Sequence, residues 1–209
     1  MPSAVDTYMR ELRDVNLQND SERFRRNLQR IGWAIGMEIS KTLEYRKTEI
    51  STPLGNHRQR VFDDEIVLIS ILRAGLPLHQ GLLDVFPHAK NGYISAYRKH
   101  HNSGGFEIEA RYVACPDLTG KVVVLNDPML ATGSSFITAL EILKAYGQPK
   151  SFHLAAVIAS SQGVDALKNT GLNAQLWVAD IDPELNADKY IVPGLGDAGD
   201  LAFGPKLQN

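Results

Sequence analysis

Cysteine is almost absent from this chain: Cys115 is the only one in 209 residues. A single cysteine cannot form a disulfide within the chain, which excludes a disulfide-stabilised scaffold and fits a reducing compartment. The N-terminus lacks the basic and apolar segments of a secretory signal, so we expect a cytoplasmic protein. No recognisable motif fixes a histidine beside Cys115, and we expect its thiol to be buried or unreactive.

Long apolar runs and an excess of charge of one sign are also missing. The longest apolar runs, residues 66–72 and 154–159, are far shorter than the ~20 residues that a membrane-spanning helix needs. The 22 basic and 24 acidic residues give a net charge of −2, which excludes a strongly cationic surface for nucleic acid or anionic lipid. We therefore expect no nucleic-acid partner and no membrane partner, and any anion site must be local.

The composition is otherwise that of a globular domain, with 44% hydrophobic and 22% charged residues. The length and the absence of a linker-like stretch predict a single domain over residues 1–209. Within it we expect an N-terminal helical region at about 1–50, a core at about 61–182 and a C-terminal segment at about 187–204.

Apolar residues near the N-terminus recur every three or four positions from Phe24 to Leu43, after cap residues at 19–22. This spacing predicts an amphipathic helix. From about residue 66 the pattern changes to short apolar runs separated by helix-length stretches, which is typical of strands covered on both faces. The sequence therefore predicts an α/β fold with a mostly parallel, twisted sheet flanked by helices. Strands are expected at 66–72, 93–97, 122–125, 153–158 and 176–179, and crossover helices at 76–85, 135–146 and 164–169.

Residues 97–122 break this alternation. Gly104 and Gly105 end a polar stretch at 100–105, and apolar residues then alternate with charged ones from Phe106 to Tyr112. Strict alternation is the pattern of a strand with one buried face. We expect a projecting β-hairpin arm with its tip at 100–105.

The most informative segment is residues 122–140. A buried strand delivers Asp127, and a loop containing Thr132, Ser134 and Ser135 then leads into a helix. In open α/β sheets ligands bind at such strand ends. Loop N–H groups, hydroxyls and a helix N-terminus can donate to a phosphate, and an ionised carboxylate can accept from the paired hydroxyls of a ribose. An ordinary strand-to-helix turn with serine caps explains the loop composition equally well.

Three blocks in the right order carry a family resemblance. The loop at 127–135 resembles the phosphoribosyl pyrophosphate (PRPP) loop of type I phosphoribosyltransferases, and its Asp-Pro-Met-Leu-Ala-Thr-Gly form is similar to that of the uracil phosphoribosyltransferase family. Residues 71–76 resemble that family's pyrophosphate loop, and residues 190–200 its uracil-binding segment. The resemblance covers about residues 66–204, with a weaker match at 11–13 and in the long helix. It implies a type I phosphoribosyltransferase-like fold.

The resemblance also implies roles for individual residues. Arg73 and Arg98 would contact the departing pyrophosphate, whose oxygens suit a guanidinium fork; taken alone, both would be interpreted as ordinary surface arginines. Asp127 would hold the ribose hydroxyls, and Asp197 would lie between the base and sugar sites. These four are the expected catalytic residues. The expected PRPP-binding residues are Arg73, Arg98, Asp127, Pro128, Met129, Leu130, Ala131, Thr132, Gly133, Ser134, Ser135 and Asp197.

Residues 194–199 formally match G-x-G-x-x-G, the dinucleotide-binding pattern. Pro193 precedes the match and only ten residues follow it, which leaves no room for the helix, strand and acidic residue that this pattern needs. Glycines also let a backbone approach a ligand closely, and the resemblance implies a main-chain pocket for uracil. The expected uracil-binding residues are Ile191, Gly196, Asp197 and Ala198.

Two positions depart from the family pattern. Ser134 stands where a second glycine is usual, and Leu201 follows Asp200 where a basic residue is frequent. A Cβ at position 134 either crowds the phosphate or requires a particular backbone conformation. Both departures bear on affinity and regulation more than on the type of reaction.

The expected activity is transfer of the phosphoribosyl group from PRPP to uracil, giving UMP and pyrophosphate in pyrimidine salvage. The resemblance implies Mg²⁺ held mainly through substrate phosphates, with no metal ligand assigned to the protein, a GTP effector, and a homodimer or larger homo-oligomer. Two alternatives stay open: a module that senses PRPP or UMP without turnover, and a phosphoribosyltransferase for another base.

Overall fold

A computed structural model describes residues 2–100 and 106–205, and for strand residues 96–100 and 106–111 it describes the backbone alone. The helices are α1 (Ala4–Arg13), α2 (Ser21–Ser40), α3 (Leu76–Val85), α4 (Ser134–Leu143), α5 (Ser161–Lys168) and α6 (Ala198–Phe203). The strands are β1 (Tyr45–Thr52), β2 (Gly55–Phe62), β3 (Ile66–Ile71), β4 (Lys90–His100), β5 (Phe106–Ala114), β6 (Val122–Asn126), β7 (Met129–Leu130), β8 (Ser151–Ser160), β9 (Ala174–Asp182), β10 (Glu184–Leu185) and β11 (Ile191–Val192).

The central sheet has the strand order β5-β4-β3-β6-β8, with β7 and β9 both paired to β8. Every pair is parallel except β4 with β5, which forms the predicted hairpin at the edge. Helix α3 connects β3 to β4, and α5 connects β8 to β9. The predicted α/β fold is confirmed. The tip of the arm is expected at 100–105; His100 is the last residue of β4, and residues 101–105 lie outside the described residues.

Helices cover the sheet on both faces. Leu68 and Val124 pack with α1, α2 and α3 in one apolar cluster, and Val67 and Val123 pack with α4 and α5 in another. Neighbouring residues of one strand point to opposite faces, so a strand covered on both sides is buried along its whole length and is mostly apolar. All five residues of β6 are accordingly buried.

The long N-terminal helix is observed as α2, whose N-cap residue Asp20 accepts a hydrogen bond from the Arg23 N–H at 3.1 Å. The apolar stripe predicted from Phe24 to Leu43 is buried, but the helix ends at Ser40, so Leu43 lies beyond it. Helix α2 packs against α3. Among the helices that the structure describes, none is both long and apolar enough to cross a bilayer.

A hairpin not predicted from the sequence follows α2. The N-terminal helices end at Ser40, and β1 and β2 then form a separate antiparallel pair. Nearly all of their residues are exposed, so no apolar alternation marks these strands in the sequence. Strand structure therefore begins before residue 50.

Candidate active site

The candidate site lies where β3 and β6 end side by side. These strands are parallel neighbours, with Ser70 opposite Asn126, so the turn after β3 and the loop after β6 leave the same edge of the sheet. In the sheet β3 lies between β4 and β6: the chain passes from β3 to β4 on one side, and the later strand β6 is added on the opposite side of β3. Such a switch point opens the crevice in which open α/β sheets bind ligands.

A pocket of about 370 Å³ occupies this edge. Its size suits a small-molecule ligand. It brings together residues predicted from three distant parts of the sequence: Arg73, Asp127, Met129, Ala131, Ser135, Asp197 and Ala198. It is also lined by residues that the sequence analysis did not assign: Leu72, Ala74, Asp188, Lys189, Tyr190 and Gly199.

Asp127 carries the most perturbed carboxyl group of the pocket. Burial raises its pKa from 3.8 to about 7, the Met129 N–H at 3.4 Å from Oδ1 acts in the opposite direction, and the charge of Asp197 raises it further. The protein therefore compensates this carboxylate only in part for its lost hydration. Groups that donate hydrogen bonds to this carboxylate would bind here with advantage, and perturbed groups of this kind cluster at functional sites.

A buried polar network fixes the strand end that carries Asp127. Asn126 Nδ2 donates to the Ile69 carbonyl at 2.9 Å and lies 3.2 Å from His79 Nδ1, while His79 Nε2 lies 2.7 Å from Asn91 Oδ1. Burial lowers the pKa of His79, which favours the neutral ring with Nδ1 accepting from Asn126 and Nε2–H donating to Asn91. Asp127 thus extends from a backbone anchored to both β3 and α3.

The turn after β3 presents Arg73 to solvent and to the pocket, next to a cis peptide bond between Leu72 and Arg73. The guanidinium lies 3.4 Å from the Asp200 carboxylate and 3.4 Å from the Gly204 carbonyl. An exposed pair at this distance contributes little to stability. Arg73 is consequently available to an incoming anion. Gly75 in this turn is required by space, because a Cβ there would overlap the Ser70 hydroxyl.

The loop after β6 closes against α4. Gly133 is the N-cap of α4 and adopts a φ of +81°, a conformation that glycine takes without steric cost. Ser134 is the first helical residue, its hydroxyl lies 3.0 Å from that of Thr132, and its φ is not positive. Ser134 therefore needs no strained backbone, because Gly133 takes the left-handed conformation; crowding of a phosphate by the Cβ of Ser134 stays a prediction. The other predicted loop residues, Pro128, Leu130, Thr132, Gly133 and Ser134, belong to the same loop without lining the pocket.

The C-terminal segment forms the opposite wall. Asp197 is the N-cap of α6, where its carboxylate accepts from the Asp200 N–H at 2.9 Å, and Ala198 begins that helix. Gly196 has a φ of +87° and precedes the cap. Ile191 is buried in β11, and neither Ile191 nor Gly196 lines the pocket. The predicted base-binding residues thus share one segment, half of which reaches the pocket.

Lys189 lines the pocket and has a positive φ of +67°. All other positive φ angles in the described part of the chain belong to glycines. This conformation costs a residue with a Cβ about 1–2 kcal/mol. Asn186 holds the turn in place, because its carbonyl accepts from the Lys189 N–H at 2.9 Å and its side chain from the Tyr190 N–H at 2.8 Å. Sequence reasoning missed Lys189 because a lysine in a turn gives no signal of positive φ.

Arg98 lies on β4, opposite Ile108 of β5 in the strand register. Its side chain lies outside the described residues, so its predicted role stays a prediction. Cys115 lies elsewhere: it is half-buried, and burial raises the pKa of its thiol to about 11, as expected for an unreactive cysteine.

Known proteins resemble this chain over nearly its whole length. The family model described as uracil phosphoribosyltransferase matches residues 2–205. A uracil phosphoribosyltransferase from Porphyromonas gingivalis is 47% identical over 206 residues, which cover 98% of this chain and 95% of that protein.

Solved structures agree on the fold. The AQ2163 protein from Aquifex aeolicus has a TM-score of 0.86 at 32% identity, with 100% of this chain and 98% of that one covered. A hypoxanthine phosphoribosyltransferase from Staphylococcus aureus shares the fold at a TM-score of 0.52 and 14% identity, with 88% and 84% of the two chains covered. On the family match and the relative's identity, the chain belongs to the uracil phosphoribosyltransferase family.

Proposed function

We propose that this protein transfers the phosphoribosyl group of PRPP to uracil, forming UMP and releasing pyrophosphate. The observation that carries the proposal is the convergence, in one pocket, of the turn after β3, the loop after β6 and the C-terminal segment. A ring nitrogen of uracil bonds to the anomeric carbon as the bond between that carbon and the pyrophosphate oxygen breaks. The pyrophosphate leaves with the electron pair of the broken bond, and the proton of the ring nitrogen passes to solvent. Such a reaction depends on positioning and on stabilising the charge that develops.

Asp127 is proposed to accept hydrogen bonds from the ribose hydroxyls. Its half-buried, under-compensated carboxylate supports this role, since hydroxyl donors would restore the solvation that it loses in the fold. Residues 131–135 are proposed to bind the 5′-phosphate through loop N–H groups, hydroxyls and the N-terminus of α4. The left-handed Gly133 supports this by turning the loop directly into the helix.

Arg73 and Arg98 are proposed to stabilise the departing pyrophosphate. Negative charge builds on the leaving group as the sugar gains oxocarbenium character, so cations placed there act more strongly in the transition state than in the ground state. The exposure of Arg73 and its weak contact with Asp200 support this role. Lys189 would add a second cation on the same pocket.

Uracil is proposed to bind main-chain groups at Ile191, Gly196, Asp197 and Ala198. Uracil offers ring N–H donors and carbonyl acceptors, whereas cytosine reverses donor and acceptor at one edge. A pocket of fixed backbone groups would leave buried polar atoms unpaired with cytosine, a penalty that can reach about ten-thousandfold in favourable cases. Asp197, which lines the pocket and starts α6, is suited to a position between base and sugar.

Magnesium is proposed as the cofactor, because it binds the phosphates of substrates such as PRPP. Among the described residues, no cluster of three or more acidic, histidine or cysteine side chains could hold a metal. Mg²⁺ is therefore proposed to bind mainly through the phosphates of PRPP, and the oxygen donors Asp127 and Asp197 on the same pocket are compatible with a cation that enters with the substrate. Bound there, it would neutralise phosphate charge, while Asp127 and Asp197 orient the sugar.

A homodimer or larger homo-oligomer is proposed from the hairpin of β1 and β2. An isolated two-stranded hairpin is marginal in water, and this one exposes Tyr45, Ile50, Leu54 and Phe62. Cover by a second copy would stabilise it. Sedimentation of the intact protein measures this directly. The cytoplasmic location stays a prediction.

A GTP effector is proposed to bind a pocket of about 650 Å³ between α1, α2 and α3. Its lining includes Arg26 and Arg30, suited to phosphates, and Trp33, whose side chain is half-exposed and suited to stacking on a base. Addition of GTP to the assay should change the rate, and Arg26→Gln together with Arg30→Gln should abolish the response.

The experiment that tests the proposed function is a steady-state assay of UMP formation from uracil, PRPP and Mg²⁺. Turnover with uracil, and little with cytosine, hypoxanthine or guanine, is the expected result. Binding of PRPP without any product would instead identify a sensing module, and preference for another base would refute the uracil pocket.

A further inference from the structure

Arg13, at the end of α1, is joined to the end of β9 by several short contacts. Its Nη1 and Nη2 each lie 2.8 Å from one oxygen of Asp182, and Nη2 also lies 2.7 Å from Asp180. The Asp182 side chain is buried, whereas the Asp180 side chain is half-exposed at 52%. Two parallel bonds between guanidinium and carboxylate give a strong and directional pair.

This pair also holds both backbone polar groups of Gly194. Arg13 Nη1 donates to the Gly194 carbonyl at 2.9 Å, and the Gly194 N–H donates to Asp182 Oδ2 at 2.8 Å. Burial acts to raise the pKa of Asp182, but the bonds from Arg13 and Gly194 outweigh it and hold this pKa below its ordinary value. The carboxylate is therefore ionised, and its bonds persist at neutral pH.

Gly194 has a left-handed backbone with a φ of +63°, and a Cβ at this position would overlap the Ile191 carbonyl. It lies between Ile191 and Gly196, in the segment proposed to bind uracil through its main chain. A main-chain pocket discriminates only as well as its backbone is fixed, because a peptide group that rotates can pair with the wrong base.

We propose that Arg13 and Asp182 are positioning residues for the base: as a pair they fix the backbone at Gly194 and thereby set uracil affinity and the preference for uracil over cytosine. This inference rests on the proposed function and goes beyond it, since neither residue lines the pocket. They act through the peptide groups of Gly194 and contact no part of the substrate.

The test compares three variants with a matched control. Arg13→Met removes the fork and keeps most of the stem, Arg13→Lys keeps the charge without the fork, and Arg13→Met with Asp182→Asn avoids an unpaired buried carboxylate. The control is Asp180→Asn, which removes the charge of a second partner of Arg13 and leaves the two bonds at Gly194 in place. For each protein, KM for uracil, KM for PRPP, kcat, the rate ratio of uracil to cytosine, and the melting temperature are measured.

We expect Arg13→Met and the double variant to raise KM for uracil about tenfold or more, the loss of roughly one charge-assisted hydrogen bond. KM for PRPP should stay within about twofold, the uracil preference should fall, and Arg13→Lys should lie between these variants and the wild type. Asp180→Asn should match the wild type. A rise in KM for uracil without a rise in KM for PRPP indicates that Arg13 positions the base, because general destabilisation of the protein would raise both KM values.

The inference is overturned if KM for uracil is unchanged, if both KM values rise together, or if all three variants fail to fold while the control folds. Should Arg13→Met alone be unstable, the other two variants decide between these results. A wild-type protein that forms no UMP would refute the proposed function itself, an outcome that is distinct because it appears before any substitution.

Discussion

Replacing Asp127 by asparagine should stabilise the ligand-free protein and at the same time impair its use of PRPP. The substitution keeps the shape of the side chain and an oxygen that can accept from the Met129 N–H. It removes the charge that burial and Asp197 disfavour. Stability and activity should therefore change in opposite directions, as expected where a fold tolerates an unfavourable group for binding.

The sign of the pH dependence follows from the direction of the shift. The pKa of Asp127 in the folded protein, about 7, lies above its ordinary value of 3.8, so the folded state holds the proton more tightly than the unfolded state. The contribution of Asp127 to the free energy of unfolding is fully present below pH 4 and is lost as the pH rises through about 7. At about 1.4 kcal/mol per pH unit the full loss is about 4 kcal/mol, and water screening at a half-buried side chain reduces the expected value to about 1–3 kcal/mol.

Thermal melting at pH 5 and at pH 8 measures this effect. At pH 8 the Asp127→Asn variant should melt above the wild type, by about 2–4 °C for each kcal/mol in a chain of this length, and the difference should shrink at pH 5. The value of kcat/KM for PRPP should fall about tenfold or more, because charged hydrogen bonds to the ribose are lost. A pH-independent melting difference would refute the electrostatic argument, and an unchanged kcat/KM would refute the ribose contact.

The remaining predictions concern three other residues. Arg98→Ala should lower kcat more than it weakens uracil binding, because the cation acts on the leaving group. Rapid-mix kinetics at several uracil concentrations measures both, and a loss of uracil affinity with unchanged kcat would contradict this role. Ser134→Gly should weaken PRPP binding by about 1 kcal/mol in calorimetry, because the hydroxyl proposed to donate to the phosphate is lost. Tighter binding by the variant would show that this hydroxyl does not help to bind PRPP. Lys189→Gly should raise the melting temperature by relieving about 1–2 kcal/mol of backbone strain, and it should raise KM for PRPP because the cation is lost. Lys189→Asn also removes the cation but keeps a Cβ at positive φ, so comparing the two variants separates the effect of the charge from that of the strain.

Elements with a strong apolar period could be predicted from the sequence. The strand expected at 122–125 is Val122–Asn126, and the helix expected at 76–85 is Leu76–Val85. Both lie in the core, where burial on one or both faces imposes the pattern. The convergence of Arg73, Asp127 and Asp197 could also be anticipated, because the motifs fix where the chain leaves the sheet.

The hairpin of β1 and β2 could not be predicted, since its residues face solvent on both sides and its sequence therefore lacks alternation. The contacts of Arg13 are also invisible in the sequence, because they join residues 169 and 181 positions apart and no local pattern records them. Lys189 breaks a local rule, as lysine is not expected at positive φ. Such local exceptions are expected at functional sites, and this one lines the pocket.

The charges of the pocket explain why a substrate such as PRPP would suit it better than a simple anion. Asp127, Asp188 and Asp197 line the same pocket as Arg73 and Lys189. An isolated phosphate would gain from the two cations but would be repelled by the carboxylates, whereas a sugar phosphate also brings hydroxyl donors that a carboxylate can accept. The Asp200 N–H holds the Asp197 carboxylate as the N-cap of α6, and the charge of Asp197 adds to the burial that disfavours ionisation of Asp127. A ligand that donates hydroxyl groups to Asp127 would favour the ionised form of this carboxylate, a gain that phosphate alone does not bring.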